Sequence, residues 1–158
     1  ALEEADQTDM ITVWVAITDA TQDNGCLKVV PGKHKKMLPH CPKTQTAIAD
    51  GWINEAEAKA LPVKAGNLVI LHPLIPHASL PNHTNGFRWS FDLRYNVTGQ
   101  PTGRSHFPDF IAYSQSQPER VLQDWKEWRG LWETARRKLS KGEHIPIHRW
   151  QSDAPFCA

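Results

Sequence analysis

The stretch Met10-Ile-Thr-Val-Trp-Val-Ala-Ile-Thr18 decides the fold class. Branched aliphatic residues at positions 11, 13, 15 and 17 alternate along it with Thr, Trp, Ala and Thr. Successive side chains of a β-strand point to opposite faces, so this alternation with β-branched residues predicts a strand. Similar apolar patterns predict strands at residues 26–30 and 67–71, a short one at 63–65 and a longer one at 87–95. The sequence therefore predicts an all-β core.

The predicted strand at residues 87–95 has two very different faces. We expect one face to belong to the core, since it holds aromatic side chains and a leucine: Phe87, Trp89, Phe91, Leu93 and Tyr95. The other face is polar and holds Arg88, Ser90, Asp92 and Arg94. Inside a barrel, such a polar face can line a functional lumen.

Turn signals and a change of pattern divide the rest of the chain. The cluster at residues 19–25 ends in Asp-Asn-Gly, which predicts a hairpin. Residues 54–60 are consistent with a turn or two of helix. Beyond Ser116, which begins a capping-box pattern, apolar residues recur at helical spacing and predict a helix packed on the core: Val121, Leu122, Trp125, Trp128, Leu131, Trp132, Ala135 and Leu139. We divide the chain into 1–113, a portion of a β domain, and 114–158, a helical tail packed on the same domain.

Composition excludes several classes of function. The 158 residues carry 18 basic and 17 acidic side chains, a net charge of +1, which gives no basic footprint for nucleic acid or anionic membranes. Apolar runs are too short to span a bilayer. Three cysteines, an odd number without Cys-x-x-Cys spacing, argue against a disulfide framework and a structural zinc cluster. We expect a cytoplasmic protein that contacts neither nucleic acid nor membrane.

Three histidines, His72, His77 and His83, lie close together before Arg88. Histidine is the commonest metal ligand, although a histidine beside prolines in a turn is more often a surface residue. Arg88 on an inner face needs an anion. A protein carboxylate such as Asp92 is one partner, and a substrate carboxylate bound bidentately is the other.

His77-Ala-Ser79, followed by an arginine eleven positions after the histidine, resembles the distal half of the active site in the phytanoyl-CoA dioxygenase family. Upstream, the stretches at residues 12–21 and 24–34 are similar to the central strands of that family and its Asn-Gly-Cys-Leu…Pro-Gly-Ser-His signature. Downstream, residues 88–95 and 99–108 look like the ending of bacterial members. The resemblance covers residues 8–113 well and the tail loosely.

The resemblance implies a double-stranded β-helix, a cupin-like jelly roll, and an Fe(II)- and 2-oxoglutarate-dependent dioxygenase that uses O₂ to hydroxylate a small molecule. His77 matches the distal iron ligand, and Arg88 the arginine that pairs with the C5 carboxylate of 2-oxoglutarate. Ser79 matches a hydroxyl that assists this arginine, and Trp14 a tryptophan near the cosubstrate. Because the match selects His77, we expect His72 to satisfy hydrogen bonds near a strand end. His83 lies in a polar turn, which predicts that it is exposed, and His34 either faces a substrate or lies in a solvated loop.

The chain departs from the family pattern at the iron site. The family's other two ligands form a His-x-Asp motif expected about fifteen to twenty residues before Trp14, and no histidine here has Asp or Glu two residues later. One histidine cannot form a facial triad. We therefore expect a chain that lacks the early strands and the motif, and that is inactive by itself. Its parent is a hydroxylase or, if the Asp is replaced, a halogenase; a degenerate jelly-roll binding protein is the alternative.

Overall fold

The computed structural model describes residues 6–42, 46–104, 106–143 and 149–157, which are mostly β-structure with a single α-helix in that part of the chain. The strands are β1 (Met10–Ala16), β2 (Leu27–Val29), β3 (His40–Pro42), β4 (Thr46–Ile48), β5 (Lys59–Leu61), β6 (Leu68–Leu71), β7 (His77–Ser79) and β8 (Ser90–Asn96), and the helix is α1 (Trp125–Leu139). None of the described helices is long and apolar enough to cross a membrane.

Two compact units divide the chain. One unit comprises Met10–Tyr95 and Trp150–Ala158, and it contains the β-sheets. The other comprises Ala1–Asp9 and Asn96–Arg149, and it contains α1. The division of the sequence at residue 113 stays a prediction.

The first sheet has the strand order β6-β1-β8. β1 pairs with β6 in antiparallel register, so that Trp14 lies opposite Val69. The inner face of β1 is buried at Thr12, Trp14 and Ala16. Trp14 and Ala16 belong to a core cluster with four other buried residues: Ala20, Cys26, Leu27 and Leu71. The alternation in the opening stretch therefore forms the strand it predicts.

The second sheet has the strand order β5-β2-β7, with both neighbours antiparallel to β2. Leu27 lies opposite Ser79, and Val29 lies opposite His77. β3 and β4 form a separate two-stranded sheet. The prediction of a strand at residues 63–65 is wrong: the strand is β5, at Lys59–Leu61, and Val63 makes only an isolated bridge with Ala20. The helical segment predicted at 54–60 is one short 3-10 turn, Glu55–Glu57.

The hairpin predicted at residues 19–25 does not form, because β1 and β2 belong to different sheets. The turn instead carries the chain from one sheet to the other. Asn24 closes it with side-chain hydrogen bonds: its Oδ1 accepts from the Thr21 amide at 2.7 Å, and its Nδ2 donates to the Asp19 carbonyl at 2.8 Å. Gly25 at its end has φ 89°, a conformation that glycine adopts without strain.

The prediction that the apolar face of β8 belongs to the core is wrong. Every member of that row is exposed, from Leu93 at 40% to Phe87 at 82%. Two residues of the polar row point inward instead, since the guanidinium of Arg88 lies over the buried ring of Trp14 and donates to the Ser90 hydroxyl, while Asp92 and Arg94 are exposed. Alternation of apolar and polar residues predicts that a strand has two different faces, but it does not predict which face the rest of the chain covers.

The helix also differs from its prediction. It begins at Trp125 after the N-cap Asp124, whose carboxylate accepts a hydrogen bond from the Lys126 amide at 2.8 Å. The capping-box pattern after Ser116 forms only a 3-10 turn, Pro118–Arg120. The expectation that the tryptophan stripe belongs to the core is wrong. Its side chains are 38–63% exposed: Trp125, Trp128 and Trp132. Only Ala135 of the helix is buried.

The cysteines pair in a way that the sequence argued against. Cys41 of β3 and Cys157 form a disulfide across 116 positions of sequence, with their Cα atoms 5.3 Å apart, while Cys26 is free and buried in the core. An odd count allowed one pair and one leftover residue. Only the approach of the C-terminal segment to β3 selects the pair.

Asp19 ties the end of β1 to the turn that precedes β6. Its carboxylate accepts a hydrogen bond from the Ala65 amide at 2.8 Å and from the Lys64 ammonium at 3.0 Å. The Ala65 hydrogen bond, with that of Lys64, lowers the pKa of Asp19 below its usual value of 3.8. These bonds fix where β6 enters beside β1.

We expect the stability that Asp19 contributes to be lost in acid. Because its folded pKa is lowered, the unfolded chain takes up the proton first as the pH falls, so the contribution is complete above the unfolded pKa and disappears below the folded one. Urea unfolding should therefore give a stability difference between the wild type and Asp19→Ala at about pH 6 that shrinks towards about pH 2. A difference that stays constant across this range would contradict the assignment.

Candidate active site

Arg88 is the centre of a polar cluster on the inner face of the two sheets. Its Nε donates to the Gly25 carbonyl at 3.1 Å, Nη1 to the Ser90 hydroxyl at 2.7 Å and Nη2 to the Ser79 hydroxyl at 2.9 Å. The guanidinium carbon lies 5.4 Å from the centroid of the Trp14 ring. The structure therefore brings together three residues that the resemblance singled out: Trp14, Ser79 and Arg88.

The charge of Arg88 is solvated but not neutralised. All three acceptors are neutral oxygens, and no carboxylate pairs with Arg88 in the described part of the chain. Asp92, the protein carboxylate weighed as its partner, instead pairs with Arg94 at 3.5 Å. A guanidinium has five N–H donors, so the three hydrogen bonds leave one N–H on Nη1 and one on Nη2. Two such donors suit a carboxylate bound bidentately.

Two residues of this cluster were missed from the sequence. The sequence pattern places Ser90 on the polar face without a role, and it identifies Gly25 only as a turn residue. A β-carbon at Gly25 would lie 2.7 Å from the Leu80 carbonyl oxygen, so only glycine lets the turn pack there and present its carbonyl to Nε. The spacing Arg-x-Ser on one strand face was the available signal for Ser90.

His77 has one ring nitrogen committed and one available. Its Nδ1 lies 2.9 Å from the Ile75 carbonyl oxygen. A carbonyl can only accept a hydrogen bond, so in the neutral ring Nδ1 carries the proton and Nε2 keeps its lone pair. A backbone carbonyl that fixes the tautomer in this way is typical of metal-binding histidines. His77 also shares one face of β7 with Ser79.

His72 has the opposite tautomer. Its Nδ1 accepts a hydrogen bond from the Leu74 amide at 3.1 Å, so in the neutral ring Nε2 carries the proton and cannot ligate a metal. Its ring contacts that of His34, with 5.1 Å between centroids. His34 and His83 are exposed. The hydrogen bonds thus separate His77 from His72, which sequence spacing left equivalent.

The described residues contain no group of three or more His, Cys, Asp or Glu side chains that could hold a metal ion. Of the remaining histidines, His106 contacts the ring of Phe107, and His144 and His148 lie outside the described residues. What this inner face offers chemically is one histidine nitrogen on β7 and one guanidinium, just before β8, with two N–H groups to spare.

Comparison with known proteins gives a consistent set of similarities. Residues 2–90 match the model of the family described as phytanoyl-CoA dioxygenase. The peroxisomal phytanoyl-CoA dioxygenase of Homo sapiens is 32% identical over 121 residues, covering 72% of this chain and 34% of the relative. That of Mus musculus is 34% identical over 154 residues, covering 87% and 44%. The chain thus spans less than half the length of these curated relatives.

Solved structures share the fold. The apo form of the non-heme monooxygenase ThoJ superposes with a TM-score of 0.65 at 23% identity, covering 89% of this chain and 56% of that one. The nickel complex of ThoJ gives a TM-score of 0.57 at 22% identity, covering 83% and 50%. At this identity the likeness establishes the fold alone.

The close packing of Gly25, whose carbonyl accepts a hydrogen bond from Arg88, can be tested with a pair of glycine variants. Gly25→Ala should destabilise the fold by about 2–4 kcal/mol, since it adds backbone strain at positive φ to a clash with the Leu80 carbonyl. Gly32→Ala is the matched control: its φ is 77° but nothing lies within 4 Å, so only the strain, about 1 kcal/mol, is expected. Urea unfolding measures both, and equal losses would contradict a packing role for Gly25.

Proposed function

This chain belongs to the phytanoyl-CoA dioxygenase family, and from that premise we propose that its inner face is the cosubstrate half of an Fe(II)- and 2-oxoglutarate-dependent oxygenase site. The observation that carries the proposal is that no carboxylate of the described residues neutralises the charge of Arg88. Its charge is held by neutral oxygens over an aromatic ring, with two N–H groups to spare. An arginine held in this way needs an anionic ligand.

The C5 carboxylate of 2-oxoglutarate fits this requirement. Arg88 binds it bidentately, and the Ser79 hydroxyl, which already accepts from Nη2, orients the guanidinium. The Ser90 hydroxyl and the Gly25 carbonyl accept hydrogen bonds from Nη1 and Nε of Arg88, so the guanidinium does not have to reorganise when the carboxylate binds. Trp14 forms the floor beneath the guanidinium and excludes water from one side.

His77 fits the iron that such enzymes use, because its Nε2 lone pair is free and its ring is held by the Ile75 carbonyl. Bound Fe(II) supplies the activation of O₂ and the oxidation of the substrate. A facial triad needs a second histidine and a carboxylate, and the described residues do not bring three such groups together. The donor set is therefore incomplete in this part of the chain, and no oxidation step is assigned to it.

The proposal extends to the fold and the reaction of the parent enzyme. The sheets β6-β1-β8 and β5-β2-β7 are the two faces of a double-stranded β-helix, and the substrate is a small molecule that is hydroxylated as 2-oxoglutarate becomes succinate and CO₂. The chain alone is inactive on this proposal. A related halogenase would differ at the missing carboxylate, which no His-x-Asp within these 158 residues supplies.

One observation favours a second candidate function. Since the described residues bring no group of three possible metal ligands together, the polar cluster around Arg88 could bind an acidic ligand without catalysis. The two functions differ in whether metal strengthens the binding of 2-oxoglutarate.

Calorimetry with 2-oxoglutarate tests the anion site. Arg88→Ala should weaken binding by about 2–5 kcal/mol, the cost of removing one partner of a charge pair, while Arg94→Ala, on the same face and paired with Asp92, should leave it unchanged. 2-Oxopentanoate, which has the same chain length but no C5 carboxylate, should bind the wild type as weakly as 2-oxoglutarate binds Arg88→Ala. Equal affinity of the wild type for both acids would rule out the assignment.

The role of His77 can be separated from that of His72 by adding metal to the same titration. If His77 ligates iron, anaerobic Fe(II) or Mn(II) should strengthen 2-oxoglutarate binding by a parent protein that supplies the His-x-Asp motif and by its His72→Ala variant, but not by its His77→Ala variant, because one histidine alone does not hold the ion. The physical reason is the opposite tautomers of the two rings. Binding of 2-oxoglutarate that depends on Arg88 but is indifferent to metal in all three proteins would favour the non-catalytic function.

A further inference from the structure

The Cys41–Cys157 disulfide joins β3 to residues 150–157, here called the C-terminal segment. The segment and β3 belong to the same compact unit, so their contacts are contacts within one unit. The two cysteines are 116 positions apart in sequence. The disulfide therefore brings a distant part of the chain onto a short strand.

Non-covalent contacts between the C-terminal segment and β3 are few. The backbone hydrogen bonds of the segment are internal, from the Ala154 amide to the Gln151 carbonyl at 3.3 Å and from the Cys157 amide to the Ala154 carbonyl at 2.8 Å. In the described part of the chain, no backbone hydrogen bond joins the segment to β3. The ring of Trp150 stacks on that of His40, with 5.7 Å between the centroids. Since one aromatic contact is a weak link, the disulfide is the strongest link between the two.

β3 depends on such a link because it has little support of its own. It pairs with β4 in a separate two-stranded sheet, and an isolated hairpin of two strands is marginally stable in water. The three residues of β3 are only half-buried, and burial is deeper at the flanking residues Leu38 and Ala49. Packing of the C-terminal segment against β3 therefore contributes to whether this hairpin stays folded.

The loop that leads into β3 begins beside His77. This connecting loop, residues 30–39, follows β2, whose last residue Val29 lies opposite His77. The Val30 amide donates to the Pro76 carbonyl at 3.0 Å. The connecting loop is therefore held at one end by strand pairing beside His77 and at the other end by β3, which the disulfide restrains.

We propose that the Cys41–Cys157 pair is a redox-sensitive latch. In its oxidised state the latch keeps the C-terminal segment on β3 and thereby orders the connecting loop beside His77. Reduction releases the segment, and the hairpin β3–β4 and the connecting loop become mobile. The polar cluster around Arg88 is unaffected, since none of the contacts of its guanidinium lies in these segments.

Opening of the latch needs a dithiol as the co-reactant. A thiolate of the dithiol attacks Sγ of Cys41, which is half-buried, whereas Cys157 is only 4% exposed. The S–S bond breaks, and Sγ of Cys157 leaves and takes up a proton. The second thiol of the reductant then displaces Cys41 from the mixed disulfide. Two electrons and two protons are transferred in total, so the latch ends as two thiols and the reductant ends as a disulfide.

Hydrogen exchange measured by mass spectrometry, on the whole chain with and without dithiothreitol, tests the latch. In denaturant, iodoacetamide should modify one thiol of the oxidised protein, that of Cys26, and three thiols after reduction. Reduction should accelerate amide exchange in β3 and β4 about tenfold or more, because their local opening no longer has to work against the cross-link. Exchange in β1 and β2 should stay slow.

Two cysteine variants complete the test. Oxidised Cys41→Ser should exchange at β3 and β4 as fast as the reduced wild type and should not respond to dithiothreitol. Cys26→Ala is the matched control, because it removes a thiol that is not part of the latch, and it should respond as the wild type does. Three reactive thiols in the oxidised wild type, exchange at β3 that reduction leaves unchanged, or equal acceleration in β1 would each overturn the proposal. None of these measurements involves metal or 2-oxoglutarate.

Discussion

The positive charge of Arg88 is the constraint on which the inner face of this protein depends. Taking an unpaired guanidinium out of water costs several kcal/mol, and the chain offsets this with hydrogen bonds to a glycine carbonyl and two serine hydroxyls and with the ring of Trp14. Hydrogen bonds to a charged group contribute about 1.5–3 kcal/mol each and a cation–π contact about 0.5–2 kcal/mol. These contacts stabilise the charge in place without cancelling it, which is the condition of a binding site rather than of a structural ion pair.

The same constraint links the two sheets. Trp14 belongs to β1 and Ser90 to β8 in the first sheet, while Ser79 belongs to β7 in the second. Gly25 lies in the turn that leads from the first sheet to the second. One side chain therefore contacts strands that are far apart in sequence, and a change at any of its partners shifts the guanidinium relative to His77, two residues from Ser79. The positions of the Arg88 guanidinium and of the His77 ring are therefore coupled through β7.

The two sides of the sheet β6-β1-β8 have opposite relations to solvent. The inner side is small and polar in part, yet it holds the buried core with Trp14 and Ala16. The outer side is more hydrophobic, yet it is exposed. Judged by hydrophobicity alone, the outer side would be expected to be buried and the inner side exposed, and this is what the sequence predicted for β8. The inner side is buried because residues of the second sheet, Leu27, Val29 and Ala60, pack in the cluster around Trp14 and Ala16.

The sequence by itself determined four of the strands, because alternation and β-branched residues act locally: β1, β2, β6 and β8 overlap the segments where the pattern predicts them, whereas β3, β4 and β5 do not. The resemblance to a family named Trp14, Ser79, His77 and Arg88, and the structure brings the first, second and fourth into contact. Tertiary structure alone decided which face is buried, which strands pair, that Cys41 meets Cys157, and which histidine keeps a free Nε2. The buried face, the strand pairing and the disulfide depend on contacts between residues distant in sequence, and the free Nε2 depends on the direction of one hydrogen bond. Contacts and hydrogen-bond directions of this kind leave no periodic pattern in the sequence.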